Sequence, residues 1–238
     1  MSKEEIMSLH YAYDFSEKFG IFIHIPKAAG TSVRASLKPD IVRHPRPGAR
    51  HCTALFARND ISKNVWNRLY KIAWVRNPWK RVFSLRDWES NRRSGHRWVY
   101  HDTDNDGIQQ ARFKKWLFDP SVGIHINDSP YHRNPLSALT YIADLDGKII
   151  VDFIGSLENI REDMSRLNKK LNKRAGTPRY GRYSTRRFDS RVEHHNKRER
   201  MVTDYSTIDH KTFFDRESKE YIDDICKWEI ERFNYKYD

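Results

Sequence analysis

Two short stretches hold the side chains best suited to chemistry. In "FIHIPKAAGTS" (Phe22 to Ser32) a near-continuous apolar run delivers Lys27, Gly30, Thr31 and Ser32 to one place. A strand that ends in a short loop and opens a helix aims backbone N–H groups and the positive helix end at a common point, which suits a phosphate. Lys27 adds a mobile cation, and Thr31 and Ser32 add hydroxyl donors. The ordinary nucleotide triphosphate loop wants G-x-x-x-x-G-K-[ST], whereas here the lysine precedes the glycine and no lysine follows Gly30. A plain strand-to-helix turn, with Gly30 for geometry and Thr31 as a cap, would use the same residues.

The second stretch is "VRNPWKRVFSL", with Arg76 at a strand end, Ser84 eight residues on, and Arg81 one turn before Ser84 on the same helix face. An arginine fork plus a hydroxyl is a natural second anion site. Two separated anion sites at the ends of neighbouring strands imply a ligand with two well-spaced anionic groups.

These groups need a scaffold. "FGIFIHI" (Phe19 to Ile25), "KIAWV" (Lys71 to Val75) and "KIIVDFIG" (Lys148 to Gly155) are short, rich in β-branched residues and nearly all apolar, as expected of parallel strands covered on both faces. A helix pattern follows each: Thr31 to Leu37 halted by Pro39, a longer one from Pro78, and one from Glu158 with Leu157, Ile160, Met164, Leu167 and Leu171. Asn77 suits the N-cap of the second helix, and Pro78 its first position, where a missing N–H costs nothing. Strand then helix, three times, predicts an α/β fold with a central parallel sheet flanked by helices. A last helix is expected over roughly Arg216 to Phe233. "NRRSGHRWVYHDTDNDG" (Asn91 to Gly107) and the Arg-rich stretch from Asn172 to Arg200 are poorly patterned; the latter reads as a basic loop, either disordered or an ordered anion-binding lid.

At 238 residues and 28.5 kDa the chain fits one domain, residues 1–238, with 1–18 as an N-terminal extension and 172–200 as a basic loop region. A mean hydropathy of −0.87 demands a very polar shell around the core. The net charge of +12 points to an anionic partner without choosing one. No apolar run approaches the roughly 20 residues of a membrane span and no secretion signal is visible, so a soluble cytoplasmic protein is expected. Cys52 and Cys226 lack metal-ligand spacing and read as reduced structural thiols.

"IPKAAGTS" resembles the 5′-phosphosulfate loop, and "VRNPWKRVFS" the 3′-phosphate motif, of sulfotransferases that use 3′-phosphoadenosine-5′-phosphosulfate (PAPS). The resemblance is closest to the carbohydrate sulfotransferase superfamily and its soluble bacterial relatives. It extends to "DGKIIVDFIGSLENIREDM" (Asp146 to Met164) as the third strand and helix, to "HHN" (His194 to Asn196), and to the C-terminal helix. It implies a nucleotide-kinase-like fold in which the loop Lys27, Ala28, Ala29, Gly30, Thr31 and Ser32 holds the 5′-phosphosulfate while Arg76 and Ser84 hold the 3′-phosphate. It also implies PAPS as co-substrate, 3′,5′-adenosine bisphosphate as product, and no metal. Lys27 would stabilise charge on the leaving oxygen, as in the related dissociative transfer of phosphoryl groups. The family's animal carbohydrate members carry an N-terminal membrane span that this sequence does not show, so their glycan acceptors do not carry over with them.

An acceptor hydroxyl needs a base, and histidine titrates near neutrality. His51, in "HCTALFARNDI" between the two motifs where relatives carry a similar His-centred segment, is the first candidate; a capping role in a loop would place it there equally well. His24 reads as orienting the phosphate loop, and His194 and His195 as weaker base candidates with Asn196 fixing their loop. Arg97, Trp98 and Tyr100 could meet a sugar or simply pack. "DTDNDG" (Asp102 to Gly107) has the start of a calcium loop, but Phe113 stands where the twelfth-position Glu belongs. Two rival functions remain: a related-fold kinase or nucleotidase, which would lack the lysine after the glycine, and a non-enzymatic polyanion or RNA binder, which would explain the charge but not the order of the two motifs.

Overall fold

The computed structural model describes residues 18–37, 41–42, 51–93, 106–118, 135–175 and 209–238. Its sheet has four strands, β1 (Gly20–Ile23), β2 (Ile41–Val42), β3 (Tyr70–Val75) and β4 (Phe153–Ser156), all parallel and ordered β2-β1-β3-β4. Phe22 lies opposite Ile72, and Trp74 opposite Gly155. The chain leaves β1 toward β2 on one side and leaves β3 toward β4 on the other. The crevice at the carboxyl ends of β1 and β3 is therefore the topological switch point, the position at which open α/β sheets bind ligands.

The helices are α1 (Gly30–Leu37), α2 (Ala54–Asp60), α3 (Lys63–Arg68), α4 (Pro78–Arg93), α5 (Asp106–Phe118), α6 (Leu139–Ile142), α7 (Ile160–Ala175), α8 (Arg216–Ile225) and α9 (Lys227–Phe233), with a 3-10 turn at His210–Phe213. Alternation along the strands divides the core into two. Phe22, Ile72, Trp74 and Phe153 pack with Val33 and Leu37 of α1 and with Met164, Leu167 and Leu171 of α7. Ile21, Ile23, Ala73 and Val75 face the other way, toward α2, α4, α5, α6 and α8. Helices thus cover both faces, as the apolar strands require. Gly155 is where the sheet needs a missing side chain, since a Cβ there would lie 2.5 Å from the Trp74 ring. No helix among the described residues is long and apolar enough to cross a membrane.

Three expectations are corrected. Of "KIIVDFIG" only its end is strand: Ile149 instead makes an antiparallel bridge to Ala143, and the ladder with β3 begins after Asp152. The cause is Asp152, whose carboxylate accepts from Lys71 N at 2.7 Å and pairs with Lys71 Nζ at 2.9 Å, taking the place of a strand carbonyl. The helix expected from Glu158 starts at Ile160 and continues to Ala175, so residues 172–175 of the stretch read as a basic loop are helical. The last helix breaks into two at Cys226, whose φ of −106° and ψ of 15° leave the helical region while its thiol donates to Leu136 O at 3.2 Å.

Candidate functional site

After β1 the chain runs through His24, Ile25 and Pro26 into a loop whose backbone alternates in hand. Lys27 has φ 61° and Ala29 φ 60°, with Ala28 between them outside the left-handed region. Such alternation turns successive N–H groups toward one concave point, the geometry of an anion nest. It costs roughly 1–2 kcal/mol for each residue that carries a Cβ, so the surrounding packing must hold it in place. Part of that packing is visible: Ala28 is buried, and the His24 ring lies against Gly30 so closely that a Cβ there would fall 1.9 Å from its Cδ2. Gly30 opens α1, Ser32 is half-buried in the first turn, and Val33 N donates to Ala29 O at 3.0 Å. The Thr31 side chain lies outside the described residues.

After β3 the same register delivers Arg76. Neighbouring strands lie about 4.8 Å apart, so loops that follow β1 and β3 are necessarily close. Arg76 Nη1 donates to Lys27 O at 3.4 Å, and among the described residues this is the one hydrogen bond of its guanidinium. Arg76 and the Lys27 loop thus meet at one rim. Burial lowers the Arg76 pKa, with Arg81 adding to the effect and Glu158 and Tyr235 opposing it. A half-buried guanidinium with most of its N–H groups uncommitted among the described residues is what an anion would complement.

The expected helix start is present: Asn77 Oδ1 accepts from Lys80 N at 3.2 Å at the head of α4. Ser84 is half-buried two turns in, and no hydrogen bond among the described residues joins it to Arg76. Arg81 does not belong to this rim. It is fully buried, donates through Nη2 to Leu136 O, and faces Glu229 and Cys226, because the face of α4 that carries it packs inward.

His51 is brought to the loop. Its Nδ1 lies 3.0 Å from His24 O, and the two rings are 4.4 Å apart between centroids. A carbonyl only accepts, so in this hydrogen bond the His51 Nδ1 is the donor. His24 also stacks on Phe22 at 5.7 Å, completing a column from the sheet to His51. His194, His195, Asn196, Arg97, Trp98, Tyr100 and Asp102 lie outside the described residues. Among the described residues no three His, Cys, Asp or Glu side chains gather as a metal site.

One cluster was not foreseen. Glu158 Oε1 accepts from Asn77 N at 2.8 Å, and Oε2 accepts from Ser156 Oγ at 2.5 Å and from Tyr235 OH at 3.0 Å. Asn77 Nδ2 donates to Lys236 O at 2.9 Å. The C-terminal segment is thereby fastened to the residue beside Arg76. A polar Ser-x-Glu at the end of an apolar strand was the available signal; its partner, 77 residues further on, was not in reach of pattern reading.

A family model described as "Sulfotransferase family" matches residues 13–236. An uncharacterized protein of Archaeoglobus fulgidus is 27% identical over 122 residues, covering 50% of this chain and 80% of that one. No solved structure matches.

Proposed function

Because the chain belongs to the sulfotransferase family, we propose that it moves a sulfuryl group from PAPS to an acceptor hydroxyl, or an amine, of a carbohydrate or small metabolite, working as one nucleotide-kinase-like catalytic domain. The observation that carries this reading is the meeting of Arg76, its guanidinium largely uncommitted among the described residues, with the alternating-hand loop of Lys27 at the switch point of the sheet.

The donor supplies a sulfuryl group already attached to a phosphate leaving group. The N–H groups of Ala28, Ala29, Gly30, Thr31 and Ser32, with the hydroxyls of Thr31 and Ser32, hold the 5′-phosphosulfate. Arg76 and Ser84 hold the 3′-phosphate. His51 Nε2 takes the acceptor proton as the new O–S bond forms. Lys27 stabilises the bridging oxygen, which keeps the electron pair of the breaking S–O bond and departs with 3′,5′-adenosine bisphosphate.

The test is thermal stability with 3′,5′-adenosine bisphosphate, AMP or Mg-ATP, with and without EDTA. At about one hundred times its dissociation constant a ligand adds roughly 2.7 kcal/mol, which raises the midpoint of a chain this size by roughly 5–11 °C. A shift that demands the 3′-phosphate and ignores EDTA is expected. A shift with Mg-ATP alone would transfer the site to a kinase, and no shift with any of the three would remove the nucleotide from it.

A further inference from the structure

Nothing in the two motifs explains why Arg76 stands where it does. Its one hydrogen bond, to Lys27 O, is long, and no carboxylate pairs with it directly among the described residues. The peptide that follows it is fixed from the other side. Leu157 N donates to Val75 O at 2.9 Å, continuing the β3–β4 ladder one step beyond the sheet. At the next donor, Asn77 N, the Glu158 carboxylate stands in for a strand carbonyl. That carboxylate is in turn fixed by Ser156 Oγ and Tyr235 OH, while Ser156 Oγ accepts from Glu158 N at 3.2 Å. Tyr235 is itself buried, with its ring stacked on Phe233 at 5.6 Å.

We propose that Glu158 is a positioning residue for Arg76, and that Tyr235 with the Lys236 carbonyl forms a C-terminal clasp through which 3′-phosphate recognition depends on the last residues of the sequence. The inference rests on the PAPS reading above. Glu158 acts through the Arg76–Asn77 peptide: it accepts three donors and fixes the direction in which the guanidinium leaves the strand end. The acid lies near enough for its charge to act on Arg76, raising that group's pKa against the effect of burial. Position and charge therefore pull in opposite directions: lost positioning weakens anion binding, whereas a lost negative charge strengthens it.

That opposition supplies the test. Dissociation constants for 3′,5′-adenosine bisphosphate and AMP are measured by calorimetry on the full chain and on Glu158→Ala, Glu158→Gln and Tyr235→Phe. The ratio of the two constants isolates the 3′-phosphate from the rest of the nucleotide. In Glu158→Ala the preference for the bisphosphate should fall about tenfold with AMP binding unchanged, the scale of one lost charged acceptor. Glu158→Gln, which still offers an oxygen to Asn77 N, should restore most of it, and Tyr235→Phe should fall about threefold. An unchanged ratio in both Glu158→Ala and Tyr235→Phe would overturn the proposal. So would a ratio that rises in both Glu158 variants, since the carboxylate would then act as charge alone. Should Glu158→Ala fail to fold, Tyr235→Phe decides, because it removes one hydroxyl and keeps the ring. A parent protein with no preference for the bisphosphate would remove the PAPS reading and this inference together, an outcome distinct from a preference that the variants leave untouched.

Discussion

The two strand-to-helix junctions that meet at the switch point differ in backbone: one is strained and the other is not. The β1–α1 junction holds Lys27 and Ala29 in left-handed backbone, with His24 wedged against Gly30 and His51 both packed on the His24 ring and hydrogen-bonded to its carbonyl. The β3–α4 junction is unstrained and relies on hydrogen bonds: Asn77 caps α4, and Glu158 and Lys236 O engage its main-chain and side-chain amides. The first turns backbone donors to a common point, and the second aims one side chain. A loop that must surround a charge needs unusual dihedrals, whereas a loop that must point an arginine needs only a fixed exit direction.

The largest effect should separate charge from fold. Lys27→Ala is expected to lower kcat for sulfuryl transfer by about 10²–10³, the scale of a lost transition-state donor, while leaving the thermal midpoint nearly unchanged because Lys27 is half-buried at the rim. Arg76→Ala should weaken 3′,5′-adenosine bisphosphate more than AMP. If both substitutions affect the two ligands equally, the division of labour between the junctions is wrong. Next comes Gly30→Ala. A Cβ 1.9 Å from His24 Cδ2 and 2.0 Å from Nε2 forces the imidazole to move, and overpacking of this kind costs about 1–3 kcal/mol. The midpoint should fall by several degrees and activity with it, since His51 leans on the same ring. A β3–α4 substitution such as Ser84→Ala should leave the midpoint nearly in place.

The sequence made most of this scaffold legible. The apolar strands, the Asn77–Pro78 helix start and the layered α/β order follow from local chemistry, and a sheet with both faces covered writes itself as short uninterrupted apolar runs. What it hid depended on contacts between distant residues. Asp152 delays the start of a ladder with its side chain in a run that otherwise reads as strand. Arg81 and Arg76 are alike in type and five residues apart, yet one is buried on Leu136 O and the other stands at the rim. Left-handed backbone at Lys27 and Ala29 is equally invisible, because neither residue type favours it. The proposed roles of Lys27, His51, Arg76 and Ser84 rest on which strand-to-helix segment each occupies, a matter of order in the sequence; the Glu158–Tyr235 clasp depends on a fold that had first to be formed.

A smaller effect tests what lies beneath the second junction. Glu229 is buried, accepts from Ala138 N at 2.8 Å and from Ser137 Oγ at 3.3 Å, and faces Arg81 and Cys226. Desolvation raises its pKa above the usual carboxylate value of 4.5, against the lowering by Ala138 N and Arg81. The folded state therefore keeps a proton that the unfolded chain has already lost. The stabilisation is complete below about pH 4.5 and fades as pH rises through the folded value. Glu229→Gln can accept from Ala138 N and donate to Ser137 Oγ without titrating. In urea unfolding from pH 4 to 8, the stability of the parent relative to Glu229→Gln should decline as pH rises. A difference that stays flat would mean that Arg81 holds the carboxylate ionised throughout.

The smallest effect bears most directly on the comparison. At Ala29 a glycine would adopt the left-handed backbone without the Cβ penalty, about 1–2 kcal/mol, but would surrender roughly 0.5–1 kcal/mol to the freedom of the unfolded chain. Ala29→Gly should therefore be neutral to slightly stabilising, by up to about 1.5 kcal/mol, where alanine-to-glycine changes in a helix destabilise. The same change loosens the nest, because a glycine is not held to one hand. Anion binding should weaken modestly while the midpoint holds or rises. Such a divergence between stability and affinity would mean that the strain in the β1–α1 junction serves the ligand rather than the fold. If affinity and stability instead fell together, the loop would be an ordinary turn, and the β3–α4 junction alone would carry the recognition of charge.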